Sequence, residues 1–159
     1  MSTNEIVINK MLKYLLFIVV LNLFYIYTNA DDVDVPVPEF CLGCICRAAS
    51  GCDTQTQCEG GACGPYRITK EYWIDSGNLT YNDHSPKEHE SYVKCVTNFY
   101  CSVQTIQNYM KMFKKDCDKD GKISCEDFAA VHALGASQCH KKWPKNYKKR
   151  FDECKAQYH

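Results

Sequence analysis

Three groups of residues have the types and spacing to do chemistry. The first is Asp116-Cys-Asp118-Lys-Asp120-Gly121-Lys-Ile123-Ser-Cys-Glu-Asp127, with oxygens at loop positions 1, 3, 5, 9 and 12, glycine at 6 and an apolar residue at 8. That is the ligand order of a helix-flanked calcium loop. Position 12, however, is Asp rather than the longer Glu that grips calcium with both oxygens, and Cys117 and Cys125 tie the loop elsewhere. A disulfide-held acidic turn is therefore expected over 116–127, with no metal and no cofactor. The second group is Ser50, a potential nucleophile in a turn before Gly51, with His132 or Lys70 as its base. His132 follows Phe128 by four residues and Cys125 by seven, so the plain alternative is a histidine at the edge of a core. The third group is the acids Asp53 and Glu59, with the aromatics Tyr66, Tyr72 and Trp73, all within or just after a cysteine-dense run.

That run is the frame that must position them. Cys41, Cys44, Cys46, Cys52, Cys58 and Cys63 fall within 23 residues, and the other six cysteines are Cys95, Cys101, Cys117, Cys125, Cys139 and Cys154. Cys41-Leu-Gly-Cys44 has the spacer of a zinc knuckle, but Cys46 follows at once and no second knuckle matches it. An even count of twelve in a small domain reads as six disulfides, whose pairing the spacing leaves open.

The elements around the frame follow from periodicity. Leu42, Ile45, Cys46 and Ala49 recur at helical spacing and end at Ser50-Gly51. Residues 52–64 are small and polar, hence loop, and the β-branched and aromatic residues Tyr66, Ile68, Tyr72, Trp73 and Ile74 suggest a short strand or hairpin arm. Ser85-Pro86-Lys87-Glu88 has the pattern of a capped helix start, running to about Val96. Val103, Ile106, Met110 and Phe113 form the stripe of a core helix over 101–115. Ser124 caps a helix that Gly135 stops, and Pro144 opens one carrying Tyr147, Phe151 and Cys154 inward. The fold class is α+β, mostly helical with a small β element and rich in disulfides.

The N-terminus sets the compartment. Lys10 and Lys13 precede a 14-residue run, Tyr14 to Tyr27, that is almost wholly apolar, and Thr28-Asn29-Ala30 follows. This reads as a secretory leader over 1–30 cleaved after Ala30, the run being shorter than the roughly 20 residues of a spanning helix. No stable membrane insertion is expected after cleavage. An acidic, proline-bearing arm at 31–38 leads into one domain at 39–159. Without the leader's Lys10, Lys13 and Glu5, 17 basic and 18 acidic side chains remain. That balance argues against nucleic-acid binding. The local exception is the cluster Lys141, Lys142, Lys145, Lys148, Lys149 and Arg150, whose ordinary explanation is a solvated helix face. Asn78-Leu79-Thr80 is a glycosylation sequon.

Taken together, these segments resemble a family. Cys41-x-x-Cys44-x-Cys46, Ser50-Gly51-Cys52, Cys63-Gly64-x-Tyr66-x-Ile68, Tyr72-Trp73-x-Asp75, Gln107-Asn108-Tyr109-Met110 and Ala129-x-x-His132 are similar to the invertebrate-type lysozymes, or destabilase family, from about Phe40 to Cys154. The resemblance implies a lysozyme-like fold, secretion and cleavage of β-1,4 bonds in bacterial peptidoglycan, for defence or digestion; some members are also credited with isopeptidase activity. In the family a Glu immediately before the Ser-Gly is the general acid, and that position here is Ala49. The second carboxylate is an Asp in the loop before the Cys-Gly pair, a loop shortened here to Cys58–Cys63 with Glu59 as its one acid. A positioned general acid contributes about 10²–10⁴ in rate, so weak or lost glycosidase activity is expected. The alternatives are a non-catalytic binder of peptidoglycan or a related glycan, with Tyr66, Tyr72, Trp73 and His132 facing the sugar, and an isopeptidase using Ser50 and His132.

Overall fold

A computed structural model describes residues 3–28, 36–82, 85–87 and 90–158. The chain divides into two compact units, Met1–Asp34 and Val35–His159. The first contains helix α1 (Thr3–Thr28). Among the described residues no helix is long and apolar enough to cross a membrane. The cleavage point expected after Ala30 lies outside the described residues, as do 31–35 of the expected arm.

The second unit is mostly helical. Its elements are α2 (Glu39–Ser50), β1 (Cys58–Glu59), β2 (Ala62–Cys63), β3 (Ile68–Thr69), α3 (Lys70–Asp75), α4 (Ser91–Thr97), α5 (Phe99–Phe113), α6 (Cys125–Leu134), α7 (Lys145–Lys155) and a terminal 3₁₀ turn, Ala156–Tyr158. The three two-residue strands form one antiparallel sheet in the order β1-β2-β3, with Cys58 opposite Cys63 and Cys63 opposite Ile68.

Helix α2 is the axis of the unit. Cys41, Cys44, Ile45, Cys46 and Ala48 are fully buried on it. Gly51, left-handed at φ 81°, ends it as the sequence requires, its amide bonding Arg47 O and that of Cys52 bonding Cys46 O. The six disulfides expected from the count are present. Cys41–Cys125 ties α2 to the start of α6, Cys44–Cys154 ties it to α7, and Cys46–Cys52 closes the turn after it. Cys58–Cys63 staples the hairpin, Cys95–Cys101 joins α4 to α5, and Cys117–Cys139 anchors the acidic loop.

Three expectations are corrected. Tyr72 and Trp73 lie on α3 rather than on a strand, because the Thr69 hydroxyl accepts the Tyr72 amide (3.2 Å) and caps a helix there. The helix expected from Ser85 begins at Ser91 instead. The Ser85 hydroxyl accepts the Lys87 amide two residues on (3.3 Å), a turn-making bond; Glu88 lies outside the described residues. The end of the N-terminal arm is no loose extension. Val37 is 1% exposed, and the Gln107 side chain bonds both its amide (3.0 Å) and its carbonyl (2.8 Å).

Core helix α5 buries Ile106 and Met110 as its stripe predicts, while Val103 and Phe113 are only partly covered. One close approach fixes a residue type. Gly64, at φ 73°, lies so near α4 that a Cβ there would fall 1.8 Å from the Val96 carbonyl oxygen. Only glycine lets the sheet's end seat against that helix.

Candidate functional site

The C-terminus of α2, the 64–67 turn and the inner face of α6 converge. Ser50 closes α2 and donates its hydroxyl to Pro65 O at 2.6 Å. His132, on α6, places Nε2 at 2.8 Å from Tyr66 O, the next carbonyl along. A carbonyl only accepts, so Nε2 carries the ring proton and Nδ1 accepts from the Tyr72 hydroxyl at 3.4 Å. The two side chains that could have formed a nucleophile and base therefore meet on the same turn and hold adjacent carbonyls, but they are not bonded to each other. Lys70 is exposed at the start of α3 and makes no hydrogen bond to Ser50 among the described residues. The isopeptidase pairing is thus not assembled: Ser50 and His132 act as clamps on the turn.

Burial lowers the His132 pKa to about 4, outweighing the opposing bond to Tyr66, so the ring is neutral at physiological pH. Linkage gives the sign. The unfolded chain takes up a proton near pH 6.5 and the folded chain only near 4, so stability from neutral His132 is full above 6.5 and declines between these values. The span corresponds to at most about 3 kcal/mol. Denaturant titrations at pH 7.0 and 5.0 should show this slope, and His132→Gln should flatten it; an unchanged slope would mean His132 is not the titrating group.

The aromatics expected to face sugar are core residues. Tyr66 is 1%, Trp73 3% and Tyr72 9% exposed. Tyr72 stacks on Tyr109 with centroids 3.7 Å apart, and the Trp73 indole donates to Leu79 O at 2.7 Å. Burial pushes the Tyr66 hydroxyl up to about 12. Their ring faces are covered, so these residues build the wall behind the site rather than platforms on it. Rings do reach the surface beyond Tyr66: Phe99 lies 5.9 Å from it and Tyr100 6.1 Å from Phe99, and Tyr100 is 82% exposed. Sequence reading missed this pair because two adjacent aromatics at a helix start carry no periodic signal.

The acids are spread out. Ala49 is half-buried against the core and presents a methyl group. Glu59 on β1 has a side chain 86% exposed and lies 3.4 Å from Arg67, whose guanidinium also donates to the Glu59 carbonyl at 2.7 Å. Asp53 accepts the Gln55 amide at 2.9 Å, a local turn. Two arginines lie here, one without a sequence signal and one, Arg150, that departs from the solvated helix face expected of its cluster. Arg67 sits at φ 54°, and Arg150 reaches from α7 to donate to the carbonyls of Ala48 (2.9 Å from Nε) and Ala49 (3.3 Å).

In the acidic loop, carboxylate oxygens of Asp116, Asp118 and Asp120 lie within 4.8 Å of one another. Asp127, the twelfth position, turns away from them. One oxygen accepts the Cys117 amide (2.7 Å), the other the Ser124 amide (2.8 Å) and hydroxyl (2.9 Å). The loop closes on its own carboxylate as a helix cap.

The chain is similar to known proteins. The family model described as Destabilase matches residues 38–154. The chain is 34% identical over 110 residues to a lysozyme of Meretrix lusoria, covering 66% of this chain and 80% of that one. It is 27% identical over 140 residues to invertebrate-type lysozyme 2 of Caenorhabditis elegans, covering 86% and 94%. Meretrix lusoria lysozyme, solved in complex with Aeromonas hydrophila PliI, superposes with a TM-score of 0.57 at 31% identity, over 74% of this chain and 89% of the matched one. Tapes japonica lysozyme gives 0.53 at 28% identity, over 74% and 88%. The lysozyme-like α+β fold expected from the motifs is the fold observed. The family model over residues 38–154 and these relatives make this chain a member of the destabilase family of invertebrate-type lysozymes.

Proposed function

We propose that this chain is a secreted, peptidoglycan-directed member of its family whose glycosidase activity is weak or absent, and which acts chiefly by binding glycan. Ala49 carries the proposal. Glycoside hydrolysis needs two carboxyl groups flanking the bond, about 5–5.5 Å apart or about 6.5–9.5 Å apart according to mechanism. One of them has to keep its proton in an apolar pocket. At the end of α2 the side chain is a methyl, and the two acids that follow it in sequence are engaged elsewhere: Glu59 lies in water beside Arg67, and Asp53 caps its own turn. Secretion is supported by the leader pattern of residues 1–30 and by six disulfides, which persist in oxidising compartments.

The glycan-facing residues on this reading are Phe99 and Tyr100, since sugar rings stack on exposed aromatic faces and Tyr66, Tyr72 and Trp73 are covered. The test is a pull-down on insoluble peptidoglycan together with a clearing assay on cell walls from pH 4 to 8. Retention on the peptidoglycan without clearing is expected, and Tyr100→Ala should weaken retention about fivefold to tenfold. Clearing at a rate comparable to an active lysozyme would overturn the loss of catalysis. Undiminished retention of the Tyr100 variant would remove these rings from the binding surface.

A further inference from the structure

Apart from Arg150, the basic cluster near the C-terminus plays no part in the site above, and the structure gives it a shape. Lys142, Trp143, Lys145, Lys148, Lys149 and Asp152 line a groove of about 720 Å³. Its charges are unevenly spent. Lys148 pairs with Asp152 at 2.6 Å, Lys149 lies 3.8 Å from Glu153, and Arg150 is committed to the carbonyls of α2. Lys141, Lys142 and Lys145 are exposed and make no ion pair among the described residues. A solvated helix face on α7 accounts for the paired lysines, but not for unpaired ones gathered at the mouth of a groove.

The groove also has a rigid wall. Trp143 is half-buried, held by Phe151 at 5.3 Å and Tyr147 at 5.8 Å, with the Lys148 ammonium 5.4 Å from its ring centroid. Phe151 and Tyr147 belong to the core, so the indole is fixed in place. A fixed indole edged by ammonium groups offers an apolar face to the C–H side of a sugar ring and cations to an acid group on the same chain.

The density of charge in the ligand can be argued too. Trp143 and Lys148 are shared with an adjoining cavity of about 250 Å³, whose lining includes Asp118, Glu126 and Asp127. The free Lys142 and Lys145 ammonium groups therefore make a short strip beside a cavity lined by acids. A duplex nucleic acid, with about one charge per 1.7 Å, would overrun that strip. Nor does the indole protrude as a lipid anchor would, being packed inward.

We propose that this groove binds a linear anionic glycan carrying one carboxylate or phosphate per repeat, with a sugar ring against Trp143 and the acid group between Lys142 and Lys145. The proposal is independent of the catalytic reading, because the groove shares no residue with the Ala49, Ser50 and His132 site.

Binding of the full chain to five probes at 50 mM and 200 mM salt tests it. These are a hyaluronan oligosaccharide, a poly(N-acetylglucosamine 1-phosphate) chain, a neutral N-acetylglucosamine oligomer, a single-stranded oligonucleotide and anionic lipid vesicles. One or both of the first two should bind, more weakly at the higher salt, and whichever binds tighter identifies a carboxylated or a wall-type phosphate polymer as the source. Lys142→Gln with Lys145→Gln should weaken that binding about tenfold or more and reduce its salt dependence. Binding of the neutral N-acetylglucosamine oligomer should be unchanged by these substitutions, which separates this groove from the site at Ala49. Trp143→Phe, a milder change than removal of the ring, should also weaken binding while leaving the melting temperature near that of the parent. The proposal is overturned if the double lysine variant binds the anionic glycans as tightly as the parent. It is equally overturned if the oligonucleotide or the vesicles bind better than both anionic glycans, or if the double lysine change weakens binding of the neutral oligomer as much as that of the anionic glycans.

Discussion

Ala49→Glu should raise the rate of peptidoglycan hydrolysis by at least about 10²-fold over the parent chain, the lower end of what a positioned general acid contributes. The surroundings of position 49 favour the protonated form that such an acid needs. The residue is half-buried and lies in the last turn of α2, where the partial negative charge of the helix end disfavours a carboxylate. Arg150 opposes this, but its guanidinium is already directed at the carbonyls of Ala48 and Ala49. Ser50 and His132 already fix the 64–67 turn, and the second carboxylate has to come from Glu59, the one acid of the shortened 58–63 loop. Release of reducing ends from purified cell walls near pH 5 is the measurement. A variant no more active than the parent would show that the missing acid is not what silences the scaffold, and would shift attention to the shortened 58–63 loop.

Replacing Cys44 and Cys154 together by alanine should cost about 4–5 kcal/mol of folding stability, whereas the same change at Cys58 and Cys63 should cost about 2 kcal/mol. The difference comes from the unfolded chain. The first bridge spans 110 residues and the second spans 5, and a cross-link restricts the unfolded ensemble more as its loop lengthens. Cys44 and Cys154 are also buried at the α2–α7 contact, so their loss leaves unfilled space, while Cys58 is exposed on the hairpin. Guanidinium unfolding of the two double variants decides it; equal losses would mean that the long loop is already constrained by structure in the unfolded state.

Much of the fold was legible because its signals are local. The helices at α2, α6 and α7 each carry their own stop or start, at Gly51, at Ser124 with Gly135, and at Pro144. The absence of an acid at position 49 was legible once the cysteine pattern fixed the alignment. The rest depended on contacts distant in sequence. Tyr72 and Trp73 have strand-like side chains, but a single capping hydroxyl at Thr69 and the stacking surface of Tyr109 place them on a helix. Nothing in the chain's order tells that Ser50 and His132 would each be used on a neighbouring carbonyl, because those carbonyls belong to a turn 15 and 66 residues away. The disulfide pairing was open for the same reason.

The contact between Val37 and Gln107 places the edge of the folded domain. The family match begins at residue 38 and the first cysteine is Cys41, so a chain trimmed to either would retain all twelve cysteines. It would also remove the only residue whose backbone satisfies both ends of the Gln107 carboxamide among the described residues, leaving a side chain that is 4% exposed with a donor and an acceptor unmet. An unsatisfied buried polar group costs about 1–3 kcal/mol. A chain begun after Val37 is therefore expected to lose about that much stability while keeping all six disulfides.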